Sequence, residues 1–144
     1  ANVGLGVSRK FADMNVGDYF DNFVKLKGLK AGKPEGKVVP MAMPVKRTVV
    51  GQALTVGDAA GQVMAVNGGG IPMARITGKV AGTIAAANVL KGTPLVEYER
   101  EWRRQVYKPL RTAARTKVLA ELCFGSAWRT EMAMKVLGSR RITI

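Results

Sequence analysis

The sequence contains no histidine and only one cysteine, Cys123. Without histidine, neither a Ser-His nor a Cys-His catalytic pair can form within the chain, and the commonest zinc ligand is missing. A single cysteine allows neither an intrachain disulfide nor a cysteine-based metal cluster. These absences exclude hydrolytic nucleophiles activated by histidine and lead us to predict no metal site and a reducing, cytoplasmic setting.

Long apolar runs are also absent from the sequence. No stretch approaches the roughly 18 apolar residues of a membrane-spanning helix, and nothing resembles a secretory signal peptide. We therefore expect a chain that neither spans a membrane nor is exported. Its first residue is Ala1 rather than Met, and residues 2–7 have the pattern of a strand with no preceding turn or cap. Either the chain is a piece of a longer protein or its start was set by cloning.

Acidic residues are few, with 10 Asp and Glu against 23 Lys and Arg, which gives a formal net charge of +13. Such a charge attracts polyanions and anionic membranes. The cations are spread over residues 25–37 and 100–117 and fit a solvated face equally well. Because aromatic residues for base stacking do not alternate with the lysines of residues 25–37, we expect no specific nucleic acid partner. A small basic nucleic-acid-binding protein remains an alternative function.

The hydrophobic pattern of the first half predicts short elements separated by glycine and proline. Residues 1–9 alternate as a strand, residues 15–30 contain a short amphipathic helix, and residues 28–36 form a turn-rich connector. Two prolines in residues 38–44 favour an edge strand or an extended loop. A turn at Gly51 then leads into a buried strand over Ala53–Val56.

The second half is predicted to be helical. One helix starts near Pro72, and its apolar residues recur at three- and four-residue steps: Met73, Ile76, Val80, Ile84 and Ala87. A second helix is expected to begin with Thr93 as its N-cap and Pro94 as its first residue. Pro109 should kink or interrupt this helix, and Gly125 should end it. A last helix is predicted from Ser126 onward.

The most informative stretch lies between the predicted buried strand and the helix near Pro72. It contains Gly57-Asp58-Ala59-Ala60-Gly61 and then Gly68-Gly69-Gly70-Ile71. A carboxylate at a strand end accepts hydrogen bonds from hydroxyl groups, and bare backbone N–H groups at a helix start attract negative charge. This arrangement suits a ligand that carries both groups. On local chemistry alone, an Asp that caps a turn between flexible glycines is an equal alternative.

Taken together, three motifs resemble the geranylgeranyl reductase family of flavoproteins. They are Gly57-Asp58-Ala59-Ala60-Gly61-Gln62-Val63, Gly68-Gly69-Gly70-Ile71, and Tyr98-Glu99 with Trp102. The resemblance implies an α+β chain, the C-terminal portion of a para-hydroxybenzoate hydroxylase-like FAD-binding fold with a substrate-sheet edge strand and C-terminal helices. It divides the chain into the end of the substrate-sheet region (1–50), the distal part of the FAD-binding domain (51–92) and a C-terminal helical region (93–144).

The resemblance also implies an FAD-dependent oxidoreductase that saturates isoprenoid double bonds of membrane lipid precursors. It assigns Asp58 to the FAD ribitol and the backbone of Gly68, Gly69 and Gly70 to the flavin ring and pyrophosphate. With Gly57 and Ile71 these are the expected cofactor-binding residues, whereas no catalytic residue or electron donor is indicated. An isoprenoid lipid substrate and peripheral contact with an anionic membrane are the expected partners. An aromatic-ring flavin hydroxylase is a further alternative.

Two departures from the family pattern limit this inference. Met64-Ala65-Val66-Asn67 stands where the family often has Asn-Pro followed by Thr or Ser, and the N-terminal Gly-x-Gly-x-x-Gly turn for the adenine half of FAD is missing. Gly4-Leu5-Gly6 does not replace that turn, because Arg9 occupies the place of the third glycine. We therefore expect a C-terminal part of such an enzyme that is inactive by itself.

Overall fold

A computed structural model describes residues 3–124 and 126–138. Two compact units are present, of which the first ends at Val38 and the second begins at Val39. The described part of the chain is mainly helical, with one two-stranded sheet. None of the helices in these two ranges is both long and apolar enough to cross a membrane.

The first unit contains helix α1, Val16–Leu26, which confirms the predicted amphipathic helix. Asn15 caps it by accepting a hydrogen bond from the backbone N–H of Gly17 at 3.1 Å. The strand predicted over residues 1–9 is wrong for residues 3–9, which are not in a strand, while residues 1–2 lie outside the described residues. Alternation in sequence forms a strand only where a neighbouring strand pairs with its backbone, and residues 3–9 have no such neighbour in the described part of the chain.

The second unit begins with residues 39–48, which form an extended loop rather than an edge strand. Strand β1, Val49–Val50, then pairs antiparallel with β2, Ala53–Leu54, around a turn in which Gly51 has φ +56°. The predicted buried strand Ala53–Val56 is therefore too long, and it is not buried, because Ala53 is exposed and Leu54 half-buried. Two strands with one covered side bury little of either strand.

Helix α2, Ile71–Lys91, begins next to Pro72 as predicted and ends at Gly92, which has φ +70°. Of its predicted apolar stripe, Val80 is buried, but Ile76 is 36% exposed. The buried polar residue Thr77 lies on the inner face instead, where its hydroxyl donates to the carbonyl of Met73 at 2.9 Å. That bond within the helix satisfies the buried hydroxyl.

Helix α3, Glu97–Trp102, starts later than predicted, with Val96 as the residue before it. The assignment of Thr93 and Pro94 to the start of this helix is wrong. Thr93 instead closes the end of α2, because its N–H donates to the carbonyl of Ala87 at 3.3 Å and its carbonyl accepts from the Asn88 side chain at 2.8 Å.

A π-helical segment, Arg103–Tyr107, follows α3 and leads into helix α4, Lys108–Phe124. The predicted interruption of the helix near Pro109 is thus confirmed, because the π-helical segment ends two residues before this proline. Proline has no N–H to donate and its ring clashes with the carbonyl four residues earlier, so the ladder widens there. Helix α5, Ala127–Gly138, confirms the predicted last helix. The predicted helix end at Gly125 lies outside the described residues.

The core of the second unit is one cluster of side chains from α2, α3, the π-helical segment and α4. Its central side chains are fully or almost fully buried: Val80, Ala81, Tyr98, Trp102, Val106 and Leu110. The sheet and the glycine-rich stretch pack on this cluster through Val49, Leu54, Val56 and Met64. The glycine-rich stretch is therefore held in place by packing against the core.

Candidate functional site

The first glycine motif forms a tight turn directly after β2. Gly57–Ala60 make one turn of 3₁₀ helix, and Gly57 and Gly61 have φ angles of +64° and +65°. These are conformations that residues with a side chain rarely adopt. At Gly57 an added methyl group would also lie 3.2 Å from the Cβ of Ala74, so the turn is pressed against α2.

A fully buried side chain, Gln62, holds this turn to α3. Its Oε1 accepts a hydrogen bond from the backbone N–H of Gly57 at 2.8 Å, and its Nε2 donates to the Tyr98 hydroxyl at 3.1 Å. The Tyr98 hydroxyl in turn donates to the carbonyl of Thr55 at 3.1 Å. The strand end, the turn and the helix are thereby joined in one buried network.

Asp58 and Gly70, which are twelve residues apart in sequence, lie against each other. A methyl group at Gly70 would be 2.8 Å from Oδ1 of Asp58, so a side chain there would displace this carboxylate from its position against Gly70. Asp58 is exposed, and its carboxylate makes no hydrogen bond or ion pair with the residues that the structure describes. The carboxylate is therefore free to accept hydrogen bonds from a ligand.

Gly70 is also the residue that precedes α2, and no side chain of the described residues caps the start of this 21-residue helix. Pro72 lacks an N–H, which leaves the backbone of Ile71 and Met73 to supply donors there. The Ile71 side chain is 79% exposed and turned away from the core. The helix dipole adds partial positive charge at this end, where a ligand oxygen can accept hydrogen bonds.

Gly68 and Gly69 form the turn that returns the chain to Gly70. Gly68 has φ +69°, and its N–H donates to the carbonyl of Met64 at 2.8 Å. The N–H of Gly69 donates to Oδ1 of Asn67 at 3.0 Å, so it is already occupied within the turn. Of the six predicted site residues, the structure brings Asp58 and Gly70 into contact and places Ile71 next to Gly70. Gly57 faces α2 instead, and Gly68 and Gly69 form the connecting turn.

The residues of the third motif have structural contacts. Tyr98 and Trp102 are both fully buried, and the indole N–H of Trp102 donates to the Thr48 hydroxyl at 2.9 Å. Glu99 accepts hydrogen bonds from the backbone N–H groups of Thr48 and Val49 and from the Thr48 hydroxyl. This motif therefore fastens α3 to the sheet that leads into the Gly57 turn.

The pKa values of these side chains follow from their contacts. Burial raises the pKa of Tyr98 above its usual value, although the Gln62 hydrogen bond opposes this, so the hydroxyl stays protonated. Burial alone would raise the pKa of Glu99, but the hydrogen bonds from Thr48 and Val49 outweigh it and lower the pKa. Glu99 is therefore a charged acceptor, and neither group is poised for proton transfer near neutral pH.

Sequence reasoning missed two of the residues that build the site. The sequence pattern indicates no role for Gln62 within the first motif and none for Thr48, which is 1% exposed. A buried glutamine is uncommon because both ends of its amide need partners. No local signal marks it, since its partner Tyr98 is 36 residues away.

The four methionines near the glycine motifs have two different surroundings. Met64 and Met73 pack on the core of the second unit. Met41 and Met43, by contrast, line an open groove beside α4. One pair of methionines therefore fills gaps at the core, and the other pair lies at the surface of a groove.

The comparison with curated proteins identifies similar sequences. The chain is 38% identical over 115 residues to digeranylgeranylglycerophospholipid reductase 2 of Methanothermobacter thermautotrophicus, and the match covers 76% of this chain and 30% of that protein. It is 35% identical over 130 residues to the digeranylgeranylglycerophospholipid reductase of Methanocaldococcus jannaschii, covering 84% of this chain and 33% of that protein. No family model matches, and no solved structure gives a significant match.

The reductase of Methanoculleus marisnigri that carries the same name is 38% identical over 112 residues, which cover 72% of this chain and 28% of that protein. The chain thus spans about a third or less of the length of the curated relatives it matches. Partial coverage of this kind agrees with the expectation of one part of a longer enzyme. The resemblance found in the glycine motifs is confirmed: the chain is similar to part of the sequence of these archaeal reductases.

Proposed function

We propose that this chain is part of an FAD-dependent reductase that saturates isoprenoid double bonds in membrane lipid precursors. Two observations support the proposal. The relatives are named digeranylgeranylglycerophospholipid reductases. An exposed carboxylate that has no partner among the described residues also lies beside the uncapped start of a long helix, at Asp58 and Gly70. That contact is the single structural observation on which the cofactor assignment depends.

The residues present fit one part of FAD. Asp58 would accept hydrogen bonds from ribitol hydroxyls, and the backbone of Gly70 and Ile71 at the start of α2 would face its charged or carbonyl oxygens. Gly57, Gly68 and Gly69 would shape the backbone around it. When bound, FAD supplies hydride transfer to an alkene. This chain's own contribution is to bind and orient the cofactor.

The finer fold assignment is also a proposal. Residues 51–92 would be the distal part of the FAD-binding domain of a para-hydroxybenzoate hydroxylase-like fold, with residues 1–50 at the end of the substrate sheet and 93–144 forming the C-terminal helices. The turn at Gly57 followed by α2 supports the first of these assignments. The adenine half of FAD would be held outside this chain.

The substrate would be an isoprenoid lipid, and the enzyme would work at a membrane surface from the cytoplasmic side. The net charge of +13 supports this, because an anionic membrane attracts a cationic protein by about 1 kcal/mol for each Lys or Arg near the surface. The electron donor is an external partner in this proposal. Hydroxylation of an aromatic ring is less favoured, since the names of the relatives describe reductases.

A chimera tests the cofactor assignment. We would replace the matching segment of the Methanothermobacter reductase by this chain and measure the bound FAD by absorbance and equilibrium dialysis. The Asp58→Ala chimera should bind FAD about 10- to 100-fold more weakly, because a hydrogen bond to a charged group contributes about 1.5–3 kcal/mol. Gly70→Ala should weaken binding in the same direction, since its methyl group displaces the carboxylate.

Gly78→Ala is the matched control, because this glycine lies within α2 and a methyl group there meets no atom within 4 Å. It should bind FAD as the parent chimera does. The isolated chain should bind FAD weakly or not at all. An Asp58→Ala chimera with unchanged FAD affinity, or tight stoichiometric FAD on the isolated chain, would contradict the assignment.

A further inference from the structure

An open groove runs between the segment Met41–Met43 and helix α4. Its volume is about 750 Å³, within the range of small-molecule sites. Ala114, which is 7% exposed, lies on its helical wall, and Val118 and Leu119 on the same wall are 57% and 63% exposed. The groove is thus lined by apolar side chains that water now contacts.

Cations lie along the same wall of the groove. Arg111 and Arg115 are one helical turn apart and exposed, and neither forms an ion pair with a carboxylate in the described part of the chain. Lys117 also lines the groove, but it pairs with Glu121 at 2.6 Å. The two arginines therefore leave uncompensated positive charge next to apolar surface.

Along one face of α4, cationic side chains come first and exposed apolar side chains follow. Residues three and four apart share a helix face, so Arg111 and Arg115 continue into Val118 and Leu119 and then into Leu122, which is 55% exposed. One end of this face is cationic and the other apolar. An amphiphile with an anionic head and a hydrocarbon chain matches both ends at once, whereas a nucleic acid or a free anion leaves the apolar end unpartnered.

We propose that this groove binds a hydrocarbon chain of an anionic bilayer lipid, with Arg111 and Arg115 contacting the phosphate of its headgroup. The proposal rests on the membrane contact proposed above and gives it a location on the protein. It involves none of the residues assigned to FAD. The lipid holds α4 against the membrane surface, where a lipid substrate is present.

The test is flotation of the 144-residue chain with vesicles, without flavin. Vesicles of phosphatidylcholine with about one third phosphatidylglycerol should bind the chain, and pure phosphatidylcholine should bind it far more weakly. Replacing both arginines (Arg111→Gln with Arg115→Gln) should weaken binding to the anionic vesicles about 30-fold, since each cation at an anionic surface contributes about fivefold. Leu119→Ser should weaken it about tenfold through the lost apolar contact.

A matched pair of lysine substitutions distinguishes binding at this groove from attraction by the overall charge of the chain. Lys30→Gln with Lys33→Gln removes the same charge from the first unit and should change binding less than about threefold. Equal losses for the two pairs, or no effect of Leu119→Ser in a chain with unchanged circular dichroism, would overturn the proposal. So would a dimer that the Leu119→Ser variant dissociates, because the groove would then bind a second copy. FAD binding is measured separately in the chimera, so a negative result for lipid binding in the groove does not affect the FAD assignment.

Discussion

Replacing Gln62 by methionine should destabilise the chain more than its small change in volume suggests. Methionine keeps the approximate size and flexibility of glutamine but offers no hydrogen bonds to the backbone of Gly57 or the hydroxyl of Tyr98. Both partners are buried. The variant therefore isolates the polar contribution of the side chain from its packing.

The magnitude follows from the two bonds that are lost. The N–H of Gly57 is left buried without an acceptor, which costs about 1–3 kcal/mol, and the loss of the bond to Tyr98 costs about 0.5–1.5 kcal/mol. The Tyr98 hydroxyl keeps its bond to the carbonyl of Thr55. We expect Gln62→Met to lower the free energy of unfolding by about 2–4 kcal/mol.

Urea unfolding followed by circular dichroism at the helix band measures this change. Gln52→Met is the matched control, because Gln52 is exposed in the turn between β1 and β2, and it should change stability by less than about 0.5 kcal/mol. Tyr98→Phe combined with Gln62→Met should cost less than the sum of the single changes, since they remove a shared bond. A Gln62→Met chain as stable as the control would refute the reasoning.

Two further predictions concern the contacts of α3. The pKa of Glu99 in the folded chain is lowered from its usual value of 4.5. Its ionised form therefore stabilises the fold at pH values above 4.5, and this contribution is lost as the pH falls through the pKa of the folded state. Unfolding of the Glu99→Gln chain should therefore depend less on pH below about 5 than that of the parent, and parallel pH profiles would contradict this. Arg103 lies 4.7 Å from the ring centre of Trp102 and 5.3 Å from that of Tyr107 and donates to the carbonyl of Lys46 at 2.7 Å. Arg103→Lys should cost about 0.5–1 kcal/mol in the same urea assay because lysine lacks the planar stacking group, whereas the exposed Arg100→Lys should cost less, and equal costs would refute the stacking role.

Local rules predicted the helices better than the strands. An amphipathic period and a capping asparagine are properties of adjacent residues, so α1 could be located from sequence, and Pro109 marked the π-helical segment through its own geometry. A strand depends on a partner that sequence does not reveal. Residues 3–9 lack one among the residues that the structure describes. Thr93 was assigned to the wrong helix because the end of α2 decides its bonds to Ala87 and Asn88.

The sequence by itself determined the net charge, the main helices, the glycine turns and the resemblance to the archaeal reductases. Only the tertiary structure decided that Asp58 lies against Gly70, that Gln62 joins Gly57 to Tyr98, and that cations and exposed apolar side chains share one groove beside α4. The physical reason is distance along the chain. Helix period and turn chemistry act over a few residues, whereas the Tyr98 hydroxyl reaches the carbonyl of Thr55 across 43 residues, and packing of the core brings them together.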